Sequence, residues 1–224
     1  MRTFSRWQLG RRRQKAAQQA LSPALKQALQ TPLPAEHAAF EDVRFVCVDL
    51  ETTGLDPRSD HILSIGTVPI EHGRIDLAGA RYEVIDFAGT LDEETLAIHG
   101  LTHDALAQGV PLKPALERFL ADVSGAVLVA HHAAIEQGFL KAACSAVLGA
   151  PFEALWVCTL ALERRRMARA GGDVSVRLGQ SRERYNLPRY KAHHALMDAL
   201  AGAELLLAQQ SRIRSDGCQL KDLL

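Results

Sequence analysis

A short apolar run, Arg44-Phe45-Val46-Cys47-Val48-Asp49, ends in two carboxylates spaced two apart, Asp49 and Glu51. The run reads as a buried strand. In a strand, side chains alternate between faces, so residues i and i+2 project together. Two acids held that close repel as anions and lose solvation at a cost. A chain that ends a buried strand this way needs cover for the strand and an offset for the charge. Thr52, Thr53 and Gly54 follow directly, placing hydroxyls and backbone amides beside the acids.

The elements around this strand define the fold class. His61–Ile70 reads as a second strand, and His72-Gly73 as a hairpin turn into a third, Arg74–Asp86, giving an antiparallel meander. Helical spacing of Leu112, Leu116, Phe119 and Leu120 predicts a helix over Val110–Ser124, stopped by Gly125. Ala126–Ala130 is a buried strand, Ala133–Leu148 a helix ended by Gly149, and Leu155–Val157 a short strand. Helices follow over Thr159–Ala170 (then Gly171-Gly172), Val176–Tyr185 and His194–Arg212. Strands first and strand–helix alternation afterwards indicate an α/β domain with a mixed sheet. Ahead of it, Ala17, Leu21, Ala24, Leu25, Ala28 and Leu29 give a helical stripe over 11–30, with Ser22-Pro23 as an interruption and Thr31-Pro32-Leu33-Pro34 as a linker. The expected division is a basic helical arm over 1–40, a catalytic-sized domain over 41–213 and a tail over 214–224.

The chain of 224 residues carries 26 Lys+Arg against 26 Asp+Glu, a total that hides its distribution. Residues 1–40 hold seven cations and one acid, so the remainder is net acidic. Within that remainder, 164–191 holds nine cations against Asp173 and Glu183. Clustered Lys/Arg attracts phosphodiesters whatever the net charge, while single arginines commonly just solvate helices. Cys47, Cys144, Cys158 and Cys218 form no CxxC pair, so a zinc ribbon or redox motif is not suggested and reduced, cytoplasmic thiols are expected. No apolar run approaches a membrane span, and the Arg/Gln-rich start lacks the apolar core of a signal peptide.

Three more residues carry chemistry. His193 and Asp198 stand five apart at the start of the last helix, diverging by about 140° in angle yet able to edge one cleft. Asp198 sits among Ala195, Leu196, Ala199 and Leu200, where an acid needs a counter-charge or metal. Glu136 opens the helix after a strand, a place the helix dipole alone already favours. His194 competes with His193 for any role, and a di-histidine zinc site from His131-His132 and His193-His194 is disfavoured because adjacent histidines rarely chelate one ion. Hard carboxylate oxygens suit Mg²⁺ or Mn²⁺.

Asp49-Leu-Glu51-Thr-Thr-Gly, Leu128-Val-Ala-His-His-Ala-Ala-Ile-Glu136-Gln-Gly-Phe-Leu140 and His193-His-Ala-Leu-Met-Asp198-Ala together resemble the three motifs of the DEDDh 3′–5′ exonucleases. These are similar to the proofreading epsilon subunit of bacterial DNA polymerase III, and Ile98-His99-Gly100-Leu101-Thr102 resembles another segment of that family. The resemblance spans roughly 43–210. It implies an RNase H-like mixed five-stranded sheet with helices on both faces, and two-metal phosphodiester hydrolysis releasing nucleoside 5′-monophosphates. By the same resemblance Asp49 bridges two divalent cations, Glu51 and Asp198 hold one, Glu136 helps hold the other, and His193 is the general base. Thr52, Thr53, Gly54, His99, His132 and Ile135 would meet the terminal nucleotide. The family pattern has Asn, Phe and Asp where His132, Ile135 and Glu136 stand.

The implied partner is single-stranded or 3′-end nucleic acid, with DNA favoured over RNA. The alternative is a nucleic-acid- or nucleotide-binding module with a decayed site. A polymerase or sliding-clamp partner stays open, since Gln219-Leu-Lys-Asp-Leu-Leu224 loosely resembles a clamp-binding peptide, although leucines covering the core explain it as well.

Overall fold

The computed structural model describes residues 6–170, 175–213 and 217–224. Arg2 of the basic arm, the Gly171-Gly172 stop with Asp173, and residues 214–216 of the tail lie outside the described residues.

The first helices are α1 (Arg6–Gln19) and α2 (Pro23–Gln30), parted where Pro23 takes the first helical position, in which its missing N–H costs nothing. A 3₁₀ turn (Phe40–Asp42) leads into β1 (Phe45–Thr52), which runs three residues past the expected end. Then come β2 (Ile62–Glu71), β3 (Arg74–Ile75) and β4 (Arg81–Val84). Helices α3 (Glu93–His99), α4 (His103–Ala107) and α5 (Leu112–Val123) precede β5 (Val127–Ala130) and α6 (Ala133–Leu148). The chain closes with β6 (Trp156–Cys158), α7 (Thr159–Ala170), α8 (Leu178–Glu183), α9 (Ala195–Gln210) and α10 (Leu220–Leu223).

The sheet is RNase H-like and mixed. β1 pairs antiparallel with β2 and parallel with β5, and β5 pairs parallel with β6. It has six strands rather than five, because the third expected strand breaks into β3 and β4, both antiparallel to the outer side of β2. The break falls at Asp76–Ala80, where Ala78 N–H donates to the Asp76 carboxylate and Ala80 N–H to the Leu77 carbonyl, a local turn that competes with the ladder.

Alternation along β1 sorts the two layers. Val46, Val48 and Leu50 face a core built with α5, α6 and the arm helices. Phe45 and Cys47 face a second core with α7, α9 and the tail leucines. Asp49 and Glu51 continue that second face, so they emerge on the side that α9 covers.

The arm docks on its own body. Buried Arg13 donates from Nη1 to the Glu153 carbonyl (2.8 Å) and from Nη2 to the carbonyls of Ala28 (2.9 Å) and Thr31 (2.7 Å). It thereby satisfies carbonyls at the end of α2 that the helix itself leaves open. The tail is held as well: Phe40 N–H donates to the Cys218 carbonyl, Leu220 N–H to Ala38, and Leu220 and Leu223 are buried. The leucines a clamp-type peptide would present are therefore inside the second core. Arg13→Ala leaves three carbonyls without their charged donor. It is expected to lower stability by about 2–4 kcal/mol in urea unfolding, with Arg13→Lys rescuing little, because one ammonium cannot reach all three.

Candidate active site

A single backbone approach assembles the acidic end of the sheet. Asp49 pairs across β1–β2 with Gly66. A Cβ on Gly66 would lie 2.2 Å from the Ala195 carbonyl carbon and 2.4 Å from Leu196 N. The first turn of α9 thus rests directly on the β2 backbone, where only glycine leaves room. That seat brings Asp198, in the first turn of α9, over the end of β1. A register shift between Glu51 and Thr52 then ends the regular β1–β2 pairing at the acids.

Ligand oxygens of Asp49, Glu51 and Asp198 all lie within 4.8 Å of one another. Glu136, from the first turn of α6, lines the same cleft of about 790 Å³. Burial, then the carboxylates of Glu136, Asp198 and Glu51, hold the Asp49 carboxyl well above the usual range. Burial and Asp198 push Glu51 up to about 8, and burial pushes Glu136 up to about 7. Burial also raises Asp198, against backbone N–H bonds that favour its ionised form, including His193 N–H to Oδ2 at 2.7 Å. Glu51 Oε1 and Glu136 Oε2 are buried with no hydrogen-bond partner. Buried acceptors left open in an all-oxygen cluster fit a hard divalent cation.

The histidines separate. His193 precedes α9 with φ 65°, a left-handed conformation uncommon for non-glycine residues, and its ring edges the cleft. His194 instead stacks on Tyr82 (ring centroids 4.5 Å apart), away from the cleft lining. His131 Nε2 donates to the Val176 carbonyl (2.8 Å), so Nδ1 accepts from the Thr159 hydroxyl (2.9 Å), and burial holds the ring down to about 4. No ring nitrogen of His131 is left for a zinc ion. His99 ends α3 with Nδ1 2.5 Å from Glu51 Oε2, and its ring stands edge-on to His193 at 6.4 Å.

Asp49, Glu51, Thr52, Thr53, Gly54, His99, His132, Ile135, Glu136, His193 and Asp198 all line this one cleft. The two threonine hydroxyls are already engaged. Thr52 Oγ1 donates to the Gly54 carbonyl (2.6 Å), and Thr53 Oγ1 accepts from His61 N–H (3.0 Å) and donates to Asp60 (3.3 Å). Their hydroxyls shape the turn after β1. Exposed Leu55 and Ile98 sit on the rim, and Arg177 is the cleft's one Arg or Lys among the described residues. Leu55 and Arg177 were missed as site residues because an exposed leucine and one arginine in a basic run carry no pattern of their own, while Ile98 was read only as part of the segment around His99.

The sequence profile of the Exonuclease (RNase_T) family matches residues 46–206. The chain belongs to this exonuclease family, in its DEDDh type. It is 31 % identical over 170 residues to a DNA polymerase III PolC-type protein of Thermotoga petrophila, covering 76 % of this chain and 12 % of that protein. It is 30 % identical over 184 residues to a DNA polymerase III subunit epsilon-like protein of Rhodobacter capsulatus, covering 80 % of this chain and 25 % of that one. The chain thus spans a quarter or less of these relatives' length. Among solved structures, the fold is similar to E. coli exonuclease I in complex with a dA16 oligonucleotide (TM-score 0.67, 13 % identity, 76 % of this chain and 41 % of that chain). It is also similar to cell-death related nuclease 4 (TM-score 0.63, 18 % identity, 77 % and 64 %). No helix among the described residues is long and apolar enough to cross a membrane.

Two measurements test this assembly. Gly66→Ala is expected to displace α9 and lower Tm, while Gly10→Ala, inside α1 and meeting nothing within 4 Å, does not lower it and raises it slightly through helix propensity. The raised carboxyls also set a pH dependence. With Glu51 near about 8 and Glu136 near about 7, the folded state holds protons that the unfolded state, near 4.5, has released. Metal-free stability therefore rises as pH falls from about 8 to about 6.5. Below that the depressed His99 and His131 oppose it. Thermal melts in chelator should show this slope, and Glu51→Gln should flatten it.

Proposed function

We propose that this chain is a metal-dependent 3′–5′ exonuclease acting on single-stranded or 3′-end nucleic acid, DNA in preference to RNA, and releasing nucleoside 5′-monophosphates. The observation that supports it most is the juxtaposition of three carboxylates within 4.8 Å, buried unpartnered oxygens on Glu51 and Glu136, and an exposed imidazole at His193. Asp49, Glu51 and Asp198 would hold one divalent cation, Mg²⁺ or Mn²⁺, with Asp49 shared and Glu136 toward a second. Bound there, the cations supply Lewis-acid polarisation of the phosphate and acidify a water.

The chain's own groups do the rest. His193 accepts the proton of the attacking water as general base. Its backbone N–H bond to Asp198 ties the base to a metal ligand, so one movement of the α9 start would disturb both. His99 packs against Glu51 and limits where that carboxylate can turn. With the Thr52 and Thr53 hydroxyls spent on their own loop, the exposed apolar surfaces of Leu55 and Ile98 with Ile135 are left to meet the terminal bases. Arg177 offers the phosphate a cation in a cleft that also holds four acids.

The deciding experiment digests 3′-labelled single- and double-stranded DNA and short RNA side by side with Mg²⁺ or Mn²⁺. Asp49→Ala and His193→Ala are each expected to remove activity with the fold intact, and residual turnover above a few per cent in either sinks the assignment. Glu136→Asp tests the longer acid: a rise in activity marks Glu136 as a tolerated departure, a large loss as the ligand this site is built around. Single-strand binding with no metal-dependent degradation in the unsubstituted protein would establish the decayed-site reading instead.

A further inference from the structure

The fold divides the basic stretch 164–191 in a way the cleft does not account for. Arg182 is buried and donates to the carbonyls of Ala201 (2.6 Å) and Pro188 (2.7 Å) and to Glu204 (2.6 Å). Arg184 donates to Glu163 (2.8 Å). These two are structural. Arg165, Arg166 and Arg169, from α7, converge instead with Arg212, just beyond α9, on a separate pocket of about 370 Å³.

The pocket is built rather than incidental. The guanidinium groups of Arg166 and Arg212 stack on the buried Tyr185 ring, 4.9 and 4.7 Å from its centroid, which fixes their planes. Arg165 is tied to the carbonyls of Leu223 (3.1 Å) and Leu224 (3.0 Å). Nearby acids are already committed. Glu163 accepts from Arg184, the Tyr185 hydroxyl (2.9 Å) and Gln209 (3.0 Å), and lies 3.6 Å from Arg166. Asp222 accepts from Gln219 N–H (2.9 Å). Arg166 Nη1 is buried and makes no hydrogen bond, with only the ion pair to Glu163 Oε1 at 3.6 Å, and Arg169 makes no hydrogen bond or ion pair among the described residues. A concave group of oriented guanidiniums, with Arg169 uncommitted, matches the fork geometry of a phosphate group.

The pocket stands at the opposite end of α9 from Asp198. Fourteen residues separate Asp198 from Arg212, roughly 20 Å at ~1.5 Å per residue. We propose that this arginine pocket is a second, metal-independent phosphate site that holds the nucleic-acid backbone at that distance from the carboxylates. It rests on the exonuclease reading for its choice of nucleic acid over other polyanions. At ~3.4 Å per stacked nucleotide, about six nucleotides span the gap, so a strand with its 3′ end at the carboxylates reaches the pocket only when it is longer than that.

The test is anisotropy binding of a 15-nucleotide single strand in chelator, over a range of salt. Arg169→Gln/Arg212→Gln is expected to weaken the 15-mer on the order of tenfold and to reduce its salt slope by about 1.4, at ~0.7 per lost contact. Dinucleotide hydrolysis with Mg²⁺, which needs only the cleft, should not change. Arg169→Lys/Arg212→Lys should keep most of the affinity, and Lys113→Gln, on α5, all of it. If the double variant melts early, Arg169→Gln alone, at an exposed side chain, should still lower the slope by ~0.7. An unchanged 15-mer affinity and slope overturn the proposal, as does an acidic peptide that occupies the pocket while strand binding ignores the substitutions. A protein without nuclease activity whose double variant still loses 15-mer binding would overturn the exonuclease reading and leave this one standing.

Discussion

The contact between the Gly66 backbone and the first turn of α9 governs the acidic end of this molecule. With α9 seated there, Asp198 meets Asp49 and Glu51; a side chain at Gly66 would wedge them apart. The fold accepts a repulsive cluster in exchange and offsets it only in part. Asp198 and Glu136 both stand in the first turn of a helix, where the dipole favours negative charge. The His193 N–H reinforces that at Asp198. What remains is visible as carboxyls held above their ordinary range.

Charge elsewhere is used differently. A total of zero conceals three classes of arginine. Arg13 and Arg182 are buried and donate mainly to carbonyls, where a guanidinium fork reaches several acceptors at once. Arg184 is bound to Glu163 beneath α8. Arg177 and the set around Tyr185 stay directed toward pockets. Neutrality thus reflects internal pairing plus an acidic cluster, and says nothing against a polyanionic ligand.

Much of this was legible in the residues. The apolar runs that became β1, β2 and β5 are buried on both sides and rich in Val and Ile, and the Asp49-x-Glu51 spacing fixed a shared face before any helix was placed. The order of the motifs brought Glu136, His193 and Asp198 to the same cleft. Short elements escaped. α3 and α4 have seven and five residues, too few for apolar periodicity, and are marked only by the Asp92 and Thr102 caps and Gly100. Gly66 inside a strand looked unremarkable because its partner, Ala195, lies far along the chain. Nor could adjacency separate His131 from His132 or His193 from His194, since the choice depends on Thr159, Val176 and Tyr82 across the fold.

Glu136 shows how far a departure from the family pattern can be read physically. A decayed position is expected to turn toward solvent or acquire a local partner, because a buried open acceptor costs free energy. Glu136 stays 6 % exposed, and although its own backbone N–H bonds the carboxylate, Oε2 is left unpartnered. Its carboxylate is also the largest charged contributor to the elevation of Asp49. The extra methylene relative to aspartate has therefore kept the charge in the cleft, while burial has moved its titration to about 7. A carboxyl that releases its proton so close to neutrality makes the charge it presents to the cleft depend on ambient pH more steeply than a solvated aspartate's would.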